Sequence, residues 1–302
     1  MSNNSKIGAL ISACTNPFIS FEFFPPAQPE NMPDFFQAVE RLGIYNPLFV
    51  SVTYGAGGAK QKNTLALTSE LAKRGFTTMA HLTCVGASRD NILEFIDNLQ
   101  KAHVSNVLAL RGDPPRDREW DWESGHFRHA SDLVSFIRHE RPEIGIGVAA
   151  YPAPHPESPS FEADRTHTAL KFSSGADFAI SQLFFDTREY EALVTDLRKR
   201  SFQQSVIPGI ITIQSFGGLK RVLSLCGANI PAKLYIDLEE ANEKGGAEAV
   251  REAGIKFTLA QIKQLQDAGA PGFHLYTLNR SELCSRILEE SGLATASIQQ
   301  IR

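Results

Sequence analysis

The feature that most constrains this chain is a recurrence. A short apolar run is followed by a loop and then by apolar residues at three- and four-residue spacing, and the unit returns eight times. The runs are FISFEF (18–23), LFVSVTY (48–54), TTMAHLT (77–83), NVLALRG (106–112), IGIGVAAY (144–151), DFAISQLF (177–184), VIPGIIT (206–212) and GFHLYTL (272–278). Most are apolar on both faces, as strands covered on both sides should be. The helical patterns occupy 32–42, 62–74, 89–102, 130–140, 162–174, 187–200, 215–226 and 281–291, and one extra helical stretch, 246–268, precedes the last run. Local signals agree. Ser88 and Asp90 suit the start of the third helix, Gly43 and Gly75 follow helix ends, and Thr187 precedes the sixth helix. Eight strand–helix units in 302 residues predict an α/β fold, an eight-stranded (β/α)8 TIM barrel, forming one catalytic domain over 1–302 with 1–17 as an N-terminal extension. An open doubly wound sheet is the alternative. It would carry a GxGxxG turn after an early strand, and TYGAGGAK (53–60) lacks that spacing.

Composition narrows the partners. A formal charge of −4 and a pI near 6.1 point away from nucleic acid and anionic membrane surfaces. No apolar run is long enough to span a bilayer, and the N-terminal MSNNSKIGALISACTNP lacks the apolar core of a secretory leader, so a cytoplasmic location is expected. Cys14, Cys84, Cys226 and Cys284 lie far apart and form no CxxC pair, so neither a zinc site nor a disulfide network is indicated.

In a barrel of this type the active site lies at the C-terminal strand ends. Those ends carry Glu22; Thr53 and Tyr54; His81 and Thr83; Arg111, Gly112 and Asp113; Tyr151 and His155; Gln182; Gln214 and Phe216; and Tyr276, Asn279 and Arg280. Each has a structural alternative: a satisfied core histidine, an Arg111–Asp113 ion pair, a buried amide, a rim aromatic or a tight turn at GAGG (55–58). Glu22 resists that treatment, because FISFEFFPP surrounds a carboxyl with apolar residues and no nearby base. An unpaired buried carboxyl raises its pKa and keeps its proton, so a wall of Phe21, Phe23 and Phe24 is expected to hold Glu22 as a carboxylic acid. Glu22, His81 and Asp113 also leave open a metal-dependent barrel lyase or aldolase, although no HxH or HExxH pair is present and no metal is expected. A non-catalytic binding barrel is the third reading.

Eight motifs in fixed order make a resemblance specific: SFEFFPP (20–26), VTYGAGG (52–58), AHLTCVG (80–86), LALRGDPP (108–115), AAYPAPHPE (149–157), ISQLFFD (180–186), IPGI (207–210) and FHLYTLNR (273–280). Together they resemble the 5,10-methylenetetrahydrofolate reductases, in the short bacterial form that is the catalytic barrel alone. The resemblance implies FAD as cofactor and NADH or NADPH as co-substrate. It implies a ping-pong reduction of methylenetetrahydrofolate to 5-methyltetrahydrofolate, supplying methyl groups for methionine synthesis, and a homo-oligomer. It assigns Glu22 as the general acid that opens the one-carbon bridge to an iminium, and Asp113 as a charge beside flavin and folate. It assigns FAD contacts to Thr53, Tyr54, Ala56, His81, Arg111, Gly112, Asp113, Ala130, Tyr151, His155, Asp164 and Lys171, and substrate contacts to Gln182, Phe216, Tyr276 and Arg280. Two positions depart from the family pattern. His167 stands for an expected asparagine and Leu170 for a basic residue, which points to Arg165 as a substitute phosphate contact. RDREWDWESGHFRHA (116–130) is read as a variable loop.

Overall fold

The computed structural model describes residues 5–53, 58–114, 121 and 125–294. The strands are β1 (Phe18–Phe23), β2 (Phe49–Val52), β3 (Thr78–Thr83), β4 (Asn106–Leu110), β5 (Gly145–Ala150), β6 (Phe178–Ser181), β7 (Ser205–Ile207), β8 (Gly209–Ile211) and β9 (Gly272–Tyr276). All pair in parallel, in the order β7-β6-β5-β4-β3-β2-β1-β9-β8. β7 and β8 are two halves of one barrel strand. Pro208 separates them, because proline has no N–H to give the ladder. Its carbonyl still accepts the His274 N–H at 3.0 Å. The sheet therefore closes, β7 on β6 and β8 on β9, as an eight-stave barrel. The run at 206–212 was expected as one uninterrupted strand; the proline divides it.

Helices alternate with the strands: α1 (Ile7–Ala13), α2 (Met32–Gly43), α3 (Gly58–Lys73), α4 (Arg89–Lys101), α5 (Ala130–Glu140), α6 (Phe161–Ser173), α7 (Thr187–Lys199), α8 (Phe216–Cys226), α9 (Ala232–Asp267) and α10 (Ser281–Glu290). Starts follow side-chain chemistry. Ser88 caps α4, accepting the Asn91 N–H at 3.1 Å, while Asp90 sits inside the first turn. Ser160, Asp186 and Ser215 cap α6, α7 and α8 in the same way, so Thr187 begins its helix and Asp186 is the cap. Gly43 is the last residue of α2 and does not follow it. α9 is longer than the expected 246–268, because a first arm begins at Ala232 and turns at Gly245–Gly246, where Gly246 takes φ +59°. α1 lies within the expected N-terminal extension. Among the described residues no helix is long and apolar enough to cross a membrane.

The alternation of β1 sorts its side chains into two layers. Ile19, Phe21 and Phe23 join the layer between sheet and helices, with Phe35, Val39 and Leu42 of α2. Phe18 enters the barrel and packs with Phe49, Met79, Leu108, Phe178 and Ile207, while Ile7 and Ile11 of α1 join the same cluster. Above that apolar layer the barrel interior turns polar, with Ser20, Ser51, His274, Glu22 and His81 all buried.

Gly209, just past Pro208, admits no side chain. A Cβ there would lie 2.3 Å from the Ser181 carbonyl oxygen and 2.6 Å from the Tyr276 ring. Gly209→Ala should lower unfolding free energy by about 2–3 kcal/mol in denaturant titration, since backbone cannot yield as a side chain can. A midpoint equal to the parent's would show that the closing seam is slack.

Candidate active site

Strand register builds the site. Ser20 pairs with His274 across β1 and β9, and Glu22 stands beside Tyr276 on one side and Ser51 of β2 on the other. Residues two apart on a strand share a face, so Ser20 and Glu22 of β1, and His274 and Tyr276 of β9, form a double row inside the mouth. His81 of β3 completes it. Its Nε2 lies 3.3 Å from Glu22 Oε2, and His274 Nε2 lies 3.6 Å from the same oxygen. The His81 contact has the separation of an ion pair without the alignment of a hydrogen bond, and leaves Nε2 unpartnered.

This geometry corrects the expectation of an apolar wall. Phe21 and Phe23 lie on the opposite face of β1, and Phe24 is 36% exposed beyond the strand end. Glu22 instead meets two imidazoles. Burial alone pushes its carboxyl up, but the charge of His81 and the contact with His274 outweigh burial and hold it well below the usual carboxylate range. Burial lowers the His274 ring and keeps it neutral. The backbone above is clamped. Thr277 Oγ1 donates to the Glu22 carbonyl at 2.7 Å, and Asn279 exchanges two hydrogen bonds with the Phe24 backbone, at 3.0 and 2.8 Å.

A second group lines a cleft that opens to solvent beside β4 and β5. The structure gathers Arg111, Ala130, Tyr151, His155, Asp164 and Lys171 there. Gly112 follows with φ +82°, where a Cβ would meet Thr83 and Val85 at 2.9 Å. Arg111 pairs with Glu157 at 2.7 Å. Lys171 Nζ donates to the Ala149 carbonyl at 2.8 Å; burial, relieved by Asp164 and aided by Arg111, lowers its ammonium to about 8. Burial pushes the Asp164 carboxyl up against the pull of Lys171, and its Oδ2 has no partner. Tyr151 meets His155 edge-on at 5.1 Å, and burial raises its phenol. Two cations beside an unpartnered buried carboxylate oxygen fit a ligand carrying both phosphate and hydroxyl groups, as a flavin dinucleotide does.

Other expected positions scatter around the mouth. Thr53 directly follows β2, its carbonyl accepting from Thr64 Oγ1 at 3.0 Å. Asp113 is exposed on the loop after β4, close enough to Tyr151 for its charge to raise that phenol. Gln182 turns its amide oxygen onto the Leu183 N–H at 2.9 Å. Phe216 opens α8 and packs on Tyr235, 5.1 Å between ring centres. Tyr276 donates to the Ser181 carbonyl at 2.7 Å. Arg280 is exposed at the start of α10, in a separate cleft shared with Gln214 and Asn279. Tyr54 and Ala56 lie outside the described residues, as do 116–120 and 122–124 of the tryptophan-bearing loop. Glu22, His81 and Asp113 form no three-ligand metal cluster among the described residues.

His167 lines the cleft against His129, 5.4 Å between rings. Leu170 is 48% exposed. Arg165 stands over the Phe161 ring at 5.7 Å. Sequence reasoning missed His274, Ser20, His129 and Glu157. For the first two the signal was present: each lies two residues before a chosen position on the same strand, Tyr276 and Glu22 respectively.

A closed parallel barrel with ionisable groups at its C-terminal strand ends defines a (β/α)-barrel active site. Comparison then specifies it. The methylenetetrahydrofolate reductase family model matches residues 6–292, and the chain belongs to that family. It is 32% identical over 277 residues to 5,10-methylenetetrahydrofolate reductase of Salmonella typhimurium, covering 91% of this chain and 90% of that protein. It is 35% identical over 294 residues to methylenetetrahydrofolate reductase (NADH) 1 of Arabidopsis thaliana; there it covers 92% of this chain but spans only about half, 49%, of the plant protein. Among solved structures, an uncharacterised Clostridium thermocellum protein that binds two copies of 5-methyl-5,6,7,8-tetrahydrofolic acid shares the fold. The TM-score is 0.65 at 12% identity, over 96% of this chain and 99% of that one.

The depressed Glu22 carboxyl has a consequence for stability. A carboxyl held below its unfolded value contributes stability fully present above about 4.5 and lost as the pH falls toward the folded value. The melting temperature of the parent should therefore drop more steeply below pH 4.5 than that of Glu22→Gln. Parallel profiles would contradict the ionised pairing.

Proposed function

We propose that this protein reduces 5,10-methylenetetrahydrofolate to 5-methyltetrahydrofolate, with NADH or NADPH as co-substrate and FAD as bound cofactor, in two half-reactions on one face of the barrel. Family membership supports the reaction class. The observation that carries the mechanism is the buried Glu22 carboxyl at the barrel mouth, set against His81. FAD supplies the hydride chemistry that no side chain offers. Arg111 and Lys171 would hold its phosphates, with Gly112, Ala130, Tyr151, His155 and Asp164 around them and Thr53, His81 and Asp113 nearer the mouth. Gln182, Phe216, Tyr276 and Arg280 would hold the folate.

The proton is the protein's own task. The substrate's one-carbon bridge joins two nitrogens, and hydride adds only after one carbon–nitrogen bond opens to an iminium. Opening requires a proton on the departing nitrogen. In the free barrel Glu22 is ionised beside His81. A flat ring covering the mouth excludes water, and desolvation favours a neutral acid–imidazole pair over separated charges. The proton then resides on the Glu22 carboxyl and passes to the departing nitrogen. Asp113, on the loop above, stabilises the positive charge that develops on the substrate. NADH is the expected nucleotide, a preference that steady-state kinetics with both nucleotides will check.

Glu22→Gln should preserve NADH-dependent flavin bleaching and slow folate reduction about 10²–10⁴-fold in stopped flow, because only the second half-reaction needs the acid. Equal loss in both half-reactions would remove that role. Asp113→Asn should retain flavin yet reduce the folate more slowly; a parental folate rate would refute its electrostatic part.

A further inference from the structure

We propose that His129 and His167 form a titratable phosphate contact at the lip of the β4–β5 cleft, beside Arg111 and Lys171, so that FAD is bound with uptake of a proton. The proposal rests on the reading of that cleft as the FAD site and deepens it. Asp164, His167 and Lys171 stand three and four residues apart on α6, so they share one helix face, and all of them line the cleft. His129 stands across from them, immediately before α5, with Ala130 and Ser131 of the first helical turn beside it. The two imidazole rings are 5.4 Å apart, centre to centre, and inclined by 35°. Both residues are exposed, so an arriving ligand meets them before it meets the buried Asp164.

Charge balance gives the pair its task. The cations that line the cleft, Arg111 and Lys171, share it with the carboxyls of Glu157 and Asp164. Arg111 is held by Glu157 at 2.7 Å, and Lys171 Nζ donates to the Ala149 carbonyl at 2.8 Å. A pyrophosphate therefore brings its negative charge to cations that are already matched. His155 is committed elsewhere, because its Nδ1 accepts the Glu157 N–H at 3.1 Å. The charged groups that face His167 are His129 from the start of α5, Lys171 and Asp164 from α6, and Arg111 from the loop after β4. In the ligand-free protein partial burial first, then the charges of His129, Lys171 and Arg111, lower the His167 imidazole against the pull of Asp164. Two imidazolium rings this close repel each other. A phosphate seated against them reverses the balance, since its charge offsets that repulsion and holds a proton on the pair. A ring whose pKa rises on binding strengthens binding below the raised value, and the gain is lost as the pH rises through it.

The test is the equilibrium release of FAD from flavin-loaded protein on dilution, read by the fluorescence of the freed flavin across pH. The parent is compared with His129→Asn, His167→Asn, His167→Lys and Arg111→Gln. Asparagine at 129 can still cap α5, and neither asparagine takes up a proton. Lysine at 167 puts a permanent charge in the same place. The parent's dissociation constant should rise about 5–10-fold from about pH 6 to about pH 7.5, within the roughly tenfold per pH unit that one full proton gives. That range stays below the Lys171 ammonium, which burial lowers to about 8. His167→Asn should hold FAD at pH ~6 only as firmly as the parent does at pH ~7.5, with a flat profile, and His129→Asn should lose part of the slope. His167→Lys should hold FAD firmly across the whole range. A flat parent profile, or a slope that survives in both asparagine variants, would overturn the imidazole contact and leave the cleft as the FAD site. Parental FAD retention at every pH in Arg111→Gln would instead overturn the reading of the cleft on which the proposal stands.

Discussion

A single buried charge organises the mouth of this barrel. Glu22 gives up water on entering the interior, and an unpaired carboxylate there would take up a proton. Instead two imidazoles from strands far apart in sequence converge on one of its oxygens, at 3.3 and 3.6 Å. That arrangement needs β1 to stand between β2 and β9, in the one register that puts Ser20 beside His274 and Glu22 beside Tyr276. A one-residue slip would send Glu22 into the helix-facing layer and Phe21 or Phe23 into the mouth. The closure at Pro208 and the small residue at Gly209 serve the same end, since they let β8 approach β9 where His274 and Tyr276 must point inward.

The two regions of the site divide the work by charge. The cleft beside β4 and β5 concentrates cations, with Arg111 and a lysine whose ammonium burial has already weakened. Such a cleft gains by meeting phosphate. Glu157 now neutralises part of it, so an anionic ligand replaces an existing ion pair on arrival. The mouth holds one carboxylate with histidines on two sides, a place to keep a proton and to change its owner when water leaves. Joined by Thr53, Asp113 and Tyr151 at the rim, these regions suit a reaction that binds a large anionic cofactor and delivers one proton nearby.

Much of this was legible in the sequence, for physical reasons. Parallel strands buried on both faces appear as short apolar runs, and β1 emerged with the limits Phe18–Phe23. The extra helix before β9 was visible, but its first arm, from Ala232, was lost because Gly245–Gly246 breaks the periodicity. Glu22 stood out as a carboxyl among phenylalanines, yet those neighbours misled. In a strand, adjacent side chains face opposite ways, so Phe21 and Phe23 never wall the carboxyl. Its true neighbours, His81 and His274, lie 59 and 252 residues away, and only barrel closure brings them in. His274 was the harder omission, hidden in an apolar run where its one sign was a place two residues before Tyr276 on the same strand. His129 and Glu157 were missed for a similar reason, since loop geometry alone carries them to the cleft.

The most direct measurement is the protonation state of Glu22 itself, read by infrared difference spectroscopy of parent against Glu22→Gln in the ligand-free protein at neutral pH. The predicted result is a carboxylate signal that disappears in the variant. A protonated carboxyl stretch assigned to Glu22 under those conditions would contradict the pairing with His81 and His274, and with it the proposed origin of the proton.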